Sequence, residues 1–522
     1  MSSTCDDQPD HKATQEMASD FNDLIGEFVD LAQGIVEDAE PEEIEKKWTQ
    51  NEVDVWLTGI EFHWDGSTIY DSGIPLHPID RGWIPDPRST VAYTIGTTKE
   101  TVDKGEFQIM ARFYTNGGKG KIQVRNRSIE IDVVDLLTHM IQDRFEGQNA
   151  LGTVAEKTVF FSESGFSVYR GKYTYVPLSL ENVKFPELGV GIYDINWRWE
   201  YRKQDLKASE EQGKTVWEDE WHIIRTAPNQ APMLASAPFQ ITKHRVYVTL
   251  DEPSHPWSSC HYPDLSQTLP ISMPVWSYGL DIACRWAKGA RNKDEAAKMI
   301  ADKLYASGKF EYHPEPNYSF VDTAKKKGYK KKKQVEVTGP KVAYFHLDKM
   351  LERLFGGQGL GEKANCFDLA LGVASLANML GCRLMTGKLQ NLADTDATDA
   401  EHYEDNKFEI NPICAIGMTD KEEEISGVNY DEGSFFSYHT VAWAAAHGEL
   451  GFADDFSDPE CTIYDASLEF MTNGKQVSAS GLKLGDGKTA QTYIQMLAAD
   501  TPMGRARCNP QPVTVYEIQV SG

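Results

Sequence analysis

The segment from Phe367 to Leu380 constrains the fold most, because it is apolar almost all round. A helix of this composition has no polar face to turn towards water, so we expect it to be buried at the centre of a domain. Gly381 follows and is a natural stop for a helix. Cys366 then falls in the first turn, where the positive end of the helix favours the thiolate form of a cysteine. Taken alone, that position also fits an ordinary packing cysteine.

Two later segments carry the groups that a reactive thiol requires. The stretch Ser434–Ala446 is typical of a buried strand with His439 near its start, and Cys461–Ser467 is typical of a second strand that ends in Asp465. A thiol nucleophile needs an imidazole to take its proton, and the imidazole needs a carboxylate to fix its tautomer. We therefore predict a catalytic triad of Cys366, His439 and Asp465.

Three motifs around these residues resemble those of the transglutaminase-like superfamily of cysteine enzymes, over roughly residues 255 to 480. They are Asn365-Cys-Phe-Asp running into Asn378-Met-Leu-Gly-Cys-Arg383, Tyr438-His-Thr-Val-Ala-Trp443 and Tyr464-Asp-Ala-Ser467. The resemblance implies a papain-like α+β core. It also implies Cys366 as nucleophile, His439 as general base and acid, and Asp465 as the residue that orients the imidazole.

The activity that the resemblance implies is cysteine-dependent acyl transfer on amide bonds through a thioester acyl-enzyme. Peptidase, amidase, deamidase and protein-glutamine cross-linking activities all fit, and they differ in whether water or an amine resolves the thioester. A catalytically inactive transglutaminase-like scaffold or binding protein is the alternative. An acetyl-transferring relative is disfavoured, because no segment suggests a coenzyme site.

Two features depart from the family pattern, and the sequence does not assign the donor that would stabilise the oxyanion. The family commonly has a tryptophan two residues after the histidine, whereas Trp443 comes four residues after His439. A polar, acidic segment, residues 391 to 433, separates Cys366 from His439, and we expect it to lie over or beside the site. The backbone N–H of Cys366 and the side chain of Gln358 are the candidate oxyanion donors.

The remaining chain predicts an α+β protein of three parts. Residues 1–47 form an acidic segment with the periodicity of an amphipathic helix. Residues 48–252 alternate apolar and polar side chains between Gly, Pro, Asn and Asp turns, which predicts a β-sandwich-like region of one or two modules. A helix is expected within it at residues 129–145. Residues 253–522 form the predicted catalytic domain, with helices from Tyr278 to Trp286 and from Asn292 to Gly308.

Charge and composition limit the partners. The formal net charge of −27 disfavours binding to nucleic acid, so we expect a protein or peptide substrate, with a basic partner possible for the acidic surface. We expect no cofactor, because the eight cysteines form no zinc pattern and the acidic residues of 391–433 do not match a calcium loop. The run Lys325–Lys333 is expected to be an exposed loop.

We expect neither a cleaved signal peptide nor a membrane-spanning segment. The N-terminus lacks the apolar segment of a signal peptide, and no run of about 18 apolar residues could cross a membrane. The prediction is a location in the cytoplasm, or export without a cleaved signal peptide, and no membrane partner.

Overall fold

The structure is a computed structural model that describes residues 55–62, 91–95, 107–115, 120–128, 153–154, 156–161, 172–226, 241–257, 277–313, 320–322, 341–354, 363–390, 408–411, 413–417, 434–436, 438–445, 456, 458–473, 475–484, 493–498 and 511–520. The predicted helices at 1–47 and 129–145 lie outside these residues, as do the run Lys325–Lys333, Gln358 and the acidic residues of 391–407. Within the described chain, helices and strands are mixed and strands dominate, which confirms the α+β class at this coarse level.

Strands dominate the first part of the chain because buried apolar and exposed polar residues alternate there. Ile122 and Val124 are buried, for example, while Gln123 between them is partly exposed. The elements are β1 (Val55–Glu61), β2 (Val91–Thr94), β3 (Gln108–Thr115), β4 (Gly120–Ser128), β5 (Thr153–Val154), β6 (Lys157–Phe161), β7 (Lys172–Glu181), α1 (Phe185–Leu188), β8 (Gly191–Lys203), α2 (Leu206–Gln212), β9 (His222–Ile223), β10 (Arg225–Thr226) and β11 (Ile241–Thr249).

These strands form two sheets that share one apolar core. The first has the order β10-β1-β3-β7-β5, and the second has the order β2-β11-β8-β4-β6 with β9 beside β8. Phe113 of the first sheet meets Trp199 of the second edge to face, with ring centroids 6.3 Å apart. Such contacts across a shared core are typical of a β-sandwich.

The second part of the described chain combines helices with a central sheet. Its elements are α3 (Ser277–Trp286), α4 (Lys293–Tyr305), β12 (Glu311–Tyr312), β13 (Val321–Asp322), β14 (Lys341–Phe345), α5 (Leu347–Leu354), β15 (Lys363–Ala364), α6 (Cys366–Met379), β16 (Met385–Gln390), β17 (Phe408–Ile410), β18 (Ile413–Ala415), β19 (Ser434–Phe436), β20 (His439–Ala444), β21 (Thr462–Tyr464), β22 (Leu468–Thr472), β23 (Lys475–Ser478), β24 (Leu482–Lys483), α7 (Tyr493–Leu497) and β25 (Gln511–Val520). The central sheet has the order β13-β14-β25-β16-β20-β21-β24.

Helix α6 packs against strand β20 of this sheet and against α3 and α4. Every residue from Asp368 to Met379 is buried, which confirms the prediction of a buried helix. The predicted start of α4 is also confirmed, since the side chain of Asn292 accepts a hydrogen bond of 2.9 Å from the backbone N–H of Glu295.

The chain that leaves β11 binds directly to the C-terminal half of α6. The backbone N–H of Ser254 donates to the carbonyl of Asn378 at 2.9 Å, and the indole N–H of Trp257 donates to the carbonyl of Ser375 at 2.9 Å. The segment that follows β11 therefore supports the helix that carries Cys366. None of the helices in the described part of the chain is long and apolar enough to cross a lipid bilayer.

One predicted strand is wrong in its extent. The segment Ser434–Ala446 is not a single strand, because β19 pairs with β17 in a separate sheet whereas β20 pairs with β16 and β21. The chain changes sheets between Phe436 and His439, so His439 is the first residue of β20. Similarly, β21 ends at Tyr464, and Asp465 follows it directly.

Candidate active site

Cys366 is the first residue of α6, and a capping box fixes its position. The Oδ1 atom of Asn365 accepts hydrogen bonds from the backbone N–H groups of Phe367 (3.0 Å) and Asp368 (2.9 Å). The Oδ2 atom of Asp368 in turn accepts from the backbone N–H of Asn365 at 3.0 Å. Because these bonds satisfy donors at the helix end, the helix begins at one defined residue. The thiol of Cys366 is thereby held at the positive end of the helix dipole.

His439 is fully buried and contacts both other members of the predicted triad. Its Nε2 atom lies 2.8 Å from Oδ2 of Asp465. The ring also lies within hydrogen-bonding reach of the Cys366 thiol. Among the described residues, the buried Nδ1 atom has no hydrogen-bond partner in the resting site. One imidazole therefore lies between the thiol and the carboxylate.

The pairing of β20 with β21 explains why His439 and Asp465 meet. Ala442 lies opposite Tyr464 in this antiparallel pair. Extending the register by one residue puts Asp465 opposite Val441, on the face of the sheet that His439 shares. The two side chains are thus diagonal neighbours on adjacent strands.

The carboxylate of Asp465 is held by several hydrogen bonds besides that to His439. Its Oδ1 atom accepts from the backbone N–H of Ser467 at 2.8 Å and from the Ser467 hydroxyl at 2.5 Å. Its Oδ2 atom accepts from the Tyr493 hydroxyl at 2.7 Å. The hydroxyl of Ser480 fixes the backbone, because it accepts from the N–H of Asp465 and donates to its carbonyl. These bonds leave the carboxylate little freedom to turn away from the imidazole.

The pair is charged despite its burial. Burial disfavours the charge on His439, but the charge of Asp465 and the hydrogen bonds with Asp465 and Cys366 raise the pKa of His439 to about 10. Burial likewise acts against the charge on Asp465, but His439 and the bonds from Ser467 and Tyr493 hold the pKa of Asp465 below its usual value. At neutral pH the pair is therefore an imidazolium and a carboxylate. A cationic imidazole attracts negative charge on a neighbouring sulfur.

Two aromatic rings define the plane of the imidazole. The ring of Phe436 is tilted 6° from that of His439 at a centroid distance of 5.2 Å, and the ring of Tyr493 is tilted 10° at 6.5 Å. Tyr493 packs in turn against Phe470, with ring centroids 5.5 Å apart. These contacts restrict rotation of the imidazole out of line with Asp465.

Tyr312 belongs to the site and was missed by the sequence analysis. Its hydroxyl lies within hydrogen-bonding reach of Cys366. Burial, followed by the charge and hydrogen bonding of Cys366, raises the pKa of Tyr312 well above its usual value. No sequence signal marks this residue, because it lies in a two-residue strand far along the chain from the motif that contains Cys366.

Part of the acidic segment 391–433 also lies beside these residues. The backbone carbonyl of Ile416 accepts from the N–H of Tyr312 at 2.9 Å, and the N–H of Ile416 donates to the carbonyl of Ser467 at 2.9 Å. Strand β18 pairs with β22, which begins three residues after Asp465. The described residues 408–411 and 413–417 are therefore close to the site, as expected for this segment, whereas its acidic residues 394–405 lie outside the described chain.

The structure thus brings the three residues Cys366, His439 and Asp465 together around one imidazole. Gln358, the candidate oxyanion donor, lies outside the described residues, and so do the competing histidines His402 and His447. Trp443 is buried against Phe456, with ring centroids 4.9 Å apart.

The described cysteines are all free thiols, and they differ in their surroundings. They are Cys284, Cys366, Cys382, Cys414 and Cys461. Burial raises the pKa of Cys382 to about 12 and that of Cys284 well above its usual value. Within the part of the chain that the structure describes, no group of three or more His, Cys, Asp or Glu residues is arranged to hold a metal ion.

No protein-family model matches the chain, and no curated protein is significantly similar to it in sequence.

Proposed function

We propose that residues 253–522 form a papain-like, transglutaminase-like domain that catalyses cysteine-dependent acyl transfer on amide bonds of a protein or peptide. The observation that carries this proposal is the contact of one buried imidazole with a helix-start thiol on one side and a fixed carboxylate on the other. This is the arrangement that nucleophilic catalysis by a thiol requires.

The first half of the reaction forms the acyl-enzyme. The Cys366 thiolate attacks the amide carbon, a C–S bond forms, and the carbonyl π electrons move to oxygen. When the tetrahedral intermediate collapses, the C–N bond breaks and the imidazolium of His439 protonates the departing nitrogen. A thioester and a neutral imidazole remain.

The second half resolves the thioester. Neutral His439 takes a proton from water or from an amine, which then attacks the thioester carbon and expels the thiolate. Water gives hydrolysis, and an amine gives cross-linking. Asp465 keeps the Nε2 atom of His439 protonated throughout, so that Nδ1 faces the reacting groups in both halves.

Labelling of the cysteines with iodoacetamide at neutral pH tests this proposal against an inactive scaffold. We expect Cys366 to react at least about tenfold faster than Cys382 and Cys461, because the imidazole of His439 lies beside Cys366. The variant His439→Ala should remove that advantage, and mass spectrometry of each cysteine peptide gives the rates. Equally slow labelling of all three thiols in the wild-type protein would support the scaffold.

A further inference from the structure

The hydroxyl of Tyr312 lies beside the nucleophile, and the triad makes no use of it. Given the proposed acyl-transfer function, on which this inference depends, we propose that Tyr312 is a catalytic residue. Its hydroxyl donates a hydrogen bond to the oxyanion of the tetrahedral intermediate on Cys366. Preorganised donors of this kind stabilise the charge that develops on a carbonyl oxygen during acyl transfer.

Backbone hydrogen bonds fix Tyr312 relative to the nucleophile. Strands β12 and β15 pair in parallel, so Tyr312 lies beside Ala364, two residues before Cys366. The N–H of His313 donates to the carbonyl of Ala364, and the N–H of Tyr312 donates to the carbonyl of Ile416, both at 2.9 Å. Tyr312 is also buried in the same apolar core as Cys366. A donor held on both sides in this way does not have to reorganise when charge develops.

The hydroxyl remains a donor under working conditions. Its raised pKa keeps the phenol protonated, and a neutral phenol donates one hydrogen bond. In the resting site the sulfur of Cys366 is the acceptor. When the C–S bond forms, the negative charge passes from sulfur to the carbonyl oxygen, two bonds away, and the hydrogen bond follows it. No proton is transferred in this step.

Other donors near the helix start are already used. The N–H groups of Phe367 and Asp368 donate to the side chain of Asn365, and the hydroxyl of Tyr493 donates to Asp465. Among the described residues, the backbone N–H of Cys366, which the sequence analysis expected, and the hydroxyl of Tyr312 are donors at the nucleophile that none of these bonds uses.

Two reagents separate stabilisation of an oxyanion from any other role of Tyr312. Acylation by 4-nitrophenyl acetate passes through a tetrahedral oxyanion, whereas alkylation by iodoacetamide is a displacement at a saturated carbon and forms no such charge. For Tyr312→Phe we expect acylation of Cys366 to slow by about 10²-fold, as for loss of one oxyanion donor. Alkylation of Cys366 should change far less, because the triad and the ring of residue 312 are retained.

The matched control is Tyr305→Phe, which removes a hydroxyl that donates to the carbonyl of Cys414 at 3.1 Å and not to the nucleophile. It should leave both reactions near wild-type rates. An unchanged acylation rate in Tyr312→Phe would overturn the inference, as would an equal loss in both reactions or a gain in both. A wild-type protein that reacts no faster than Cys366→Ala with either reagent would instead overturn the proposed function itself.

Discussion

The Nε2 atom of His439 lies 2.8 Å from the Oδ2 atom of Asp465, and both side chains are almost completely removed from water. A buried charged pair of this kind is costly unless each group is well paired and hydrogen-bonded. Here Ser467 and Tyr493 supply the further hydrogen bonds to the carboxylate. The pair is thus arranged to hold the imidazole ring in one orientation beside Cys366.

Loss of either partner should slow acylation, but to different extents. His439→Ala removes the proton carrier, so we expect a loss of about 10⁴-fold in the rate of acylation by 4-nitrophenyl acetate. Asp465→Asn leaves the imidazole in place and misorients it, for a smaller loss of about 10²-fold. The melting temperatures of both variants serve as folding controls. An Asp465→Asn protein as active as the wild type would show that the carboxylate has no orienting role.

The pH dependence of acylation should report the raised pKa of His439. The imidazolium, which protonates the departing nitrogen of an amide, persists up to a pKa of about 10, so the wild-type rate of acylation by a peptide 4-nitroanilide should fall on the alkaline side near that pH. In Asp465→Asn the charge that raises this pKa is lost while burial still lowers it, so the alkaline limb should move to lower pH. The Cys366→Ala protein provides the blank at each pH. A limb that stays in place or moves to higher pH would contradict this assignment.

The same pair should make folding stability depend on pH. The pKa of His439 is about 10 in the folded protein and 6.5 without perturbation. The stability that charged His439 contributes to the folded protein is therefore complete below pH 6.5. It is lost as the pH rises through about 10. Asp465 acts in the opposite direction, because its pKa is lowered in the folded protein. Its contribution to the free energy of unfolding is complete above pH 3.8 and is lost at lower pH. Urea unfolding of the wild type and of His439→Gln across the alkaline range should show the two proteins converging as the pH rises. A constant difference would argue against the raised pKa.

Gly381 should be sensitive to substitution because it ends α6 where the sandwich approaches. Its φ angle is +83°, and an added Cβ atom would lie 2.6 Å from the Cβ atom of Asp251 and 2.8 Å from the carbonyl oxygen of Glu252. We expect Gly381→Ala to lower the free energy of unfolding by about 2 kcal/mol more than Gly213→Ala does. The control Gly213 has a φ of +64° but no atom within 4 Å of an added Cβ, so it shares the backbone strain without the clash. Equal losses in the two variants would mean that this contact is unimportant.

The parts of the site that could be predicted from sequence are those with strong local patterns. A helix that is apolar almost all round and ends at a glycine is a strong local pattern, and α6 lies where that pattern predicts it. His439 and Asp465 could be found because each lies at the end of an apolar strand. Short segments whose conformation is fixed by long-range pairing carry no such pattern.

The residues that were missed show this limit. Tyr312 is held by β15 and by Ile416, and Tyr493 lies in the five-residue helix α7, where it reaches Asp465 across the fold. The break between β19 and β20 was also missed, because an apolar run does not reveal that its two halves pair in different sheets. These features depend on tertiary contacts rather than on local periodicity.

The most direct test of the central claim is the mass of the peptide that contains Cys366 after brief exposure of the full chain to 4-nitrophenyl acetate. We expect one acetyl group on Cys366 in the wild type and in the controls Cys382→Ala and Cys461→Ala, whose cysteines are buried in packing positions. We expect no acetyl-enzyme and no nitrophenolate burst in a folded Cys366→Ala protein. A nitrophenolate burst of wild-type size in that variant, or acetylation of another cysteine in preference to Cys366, would contradict the account.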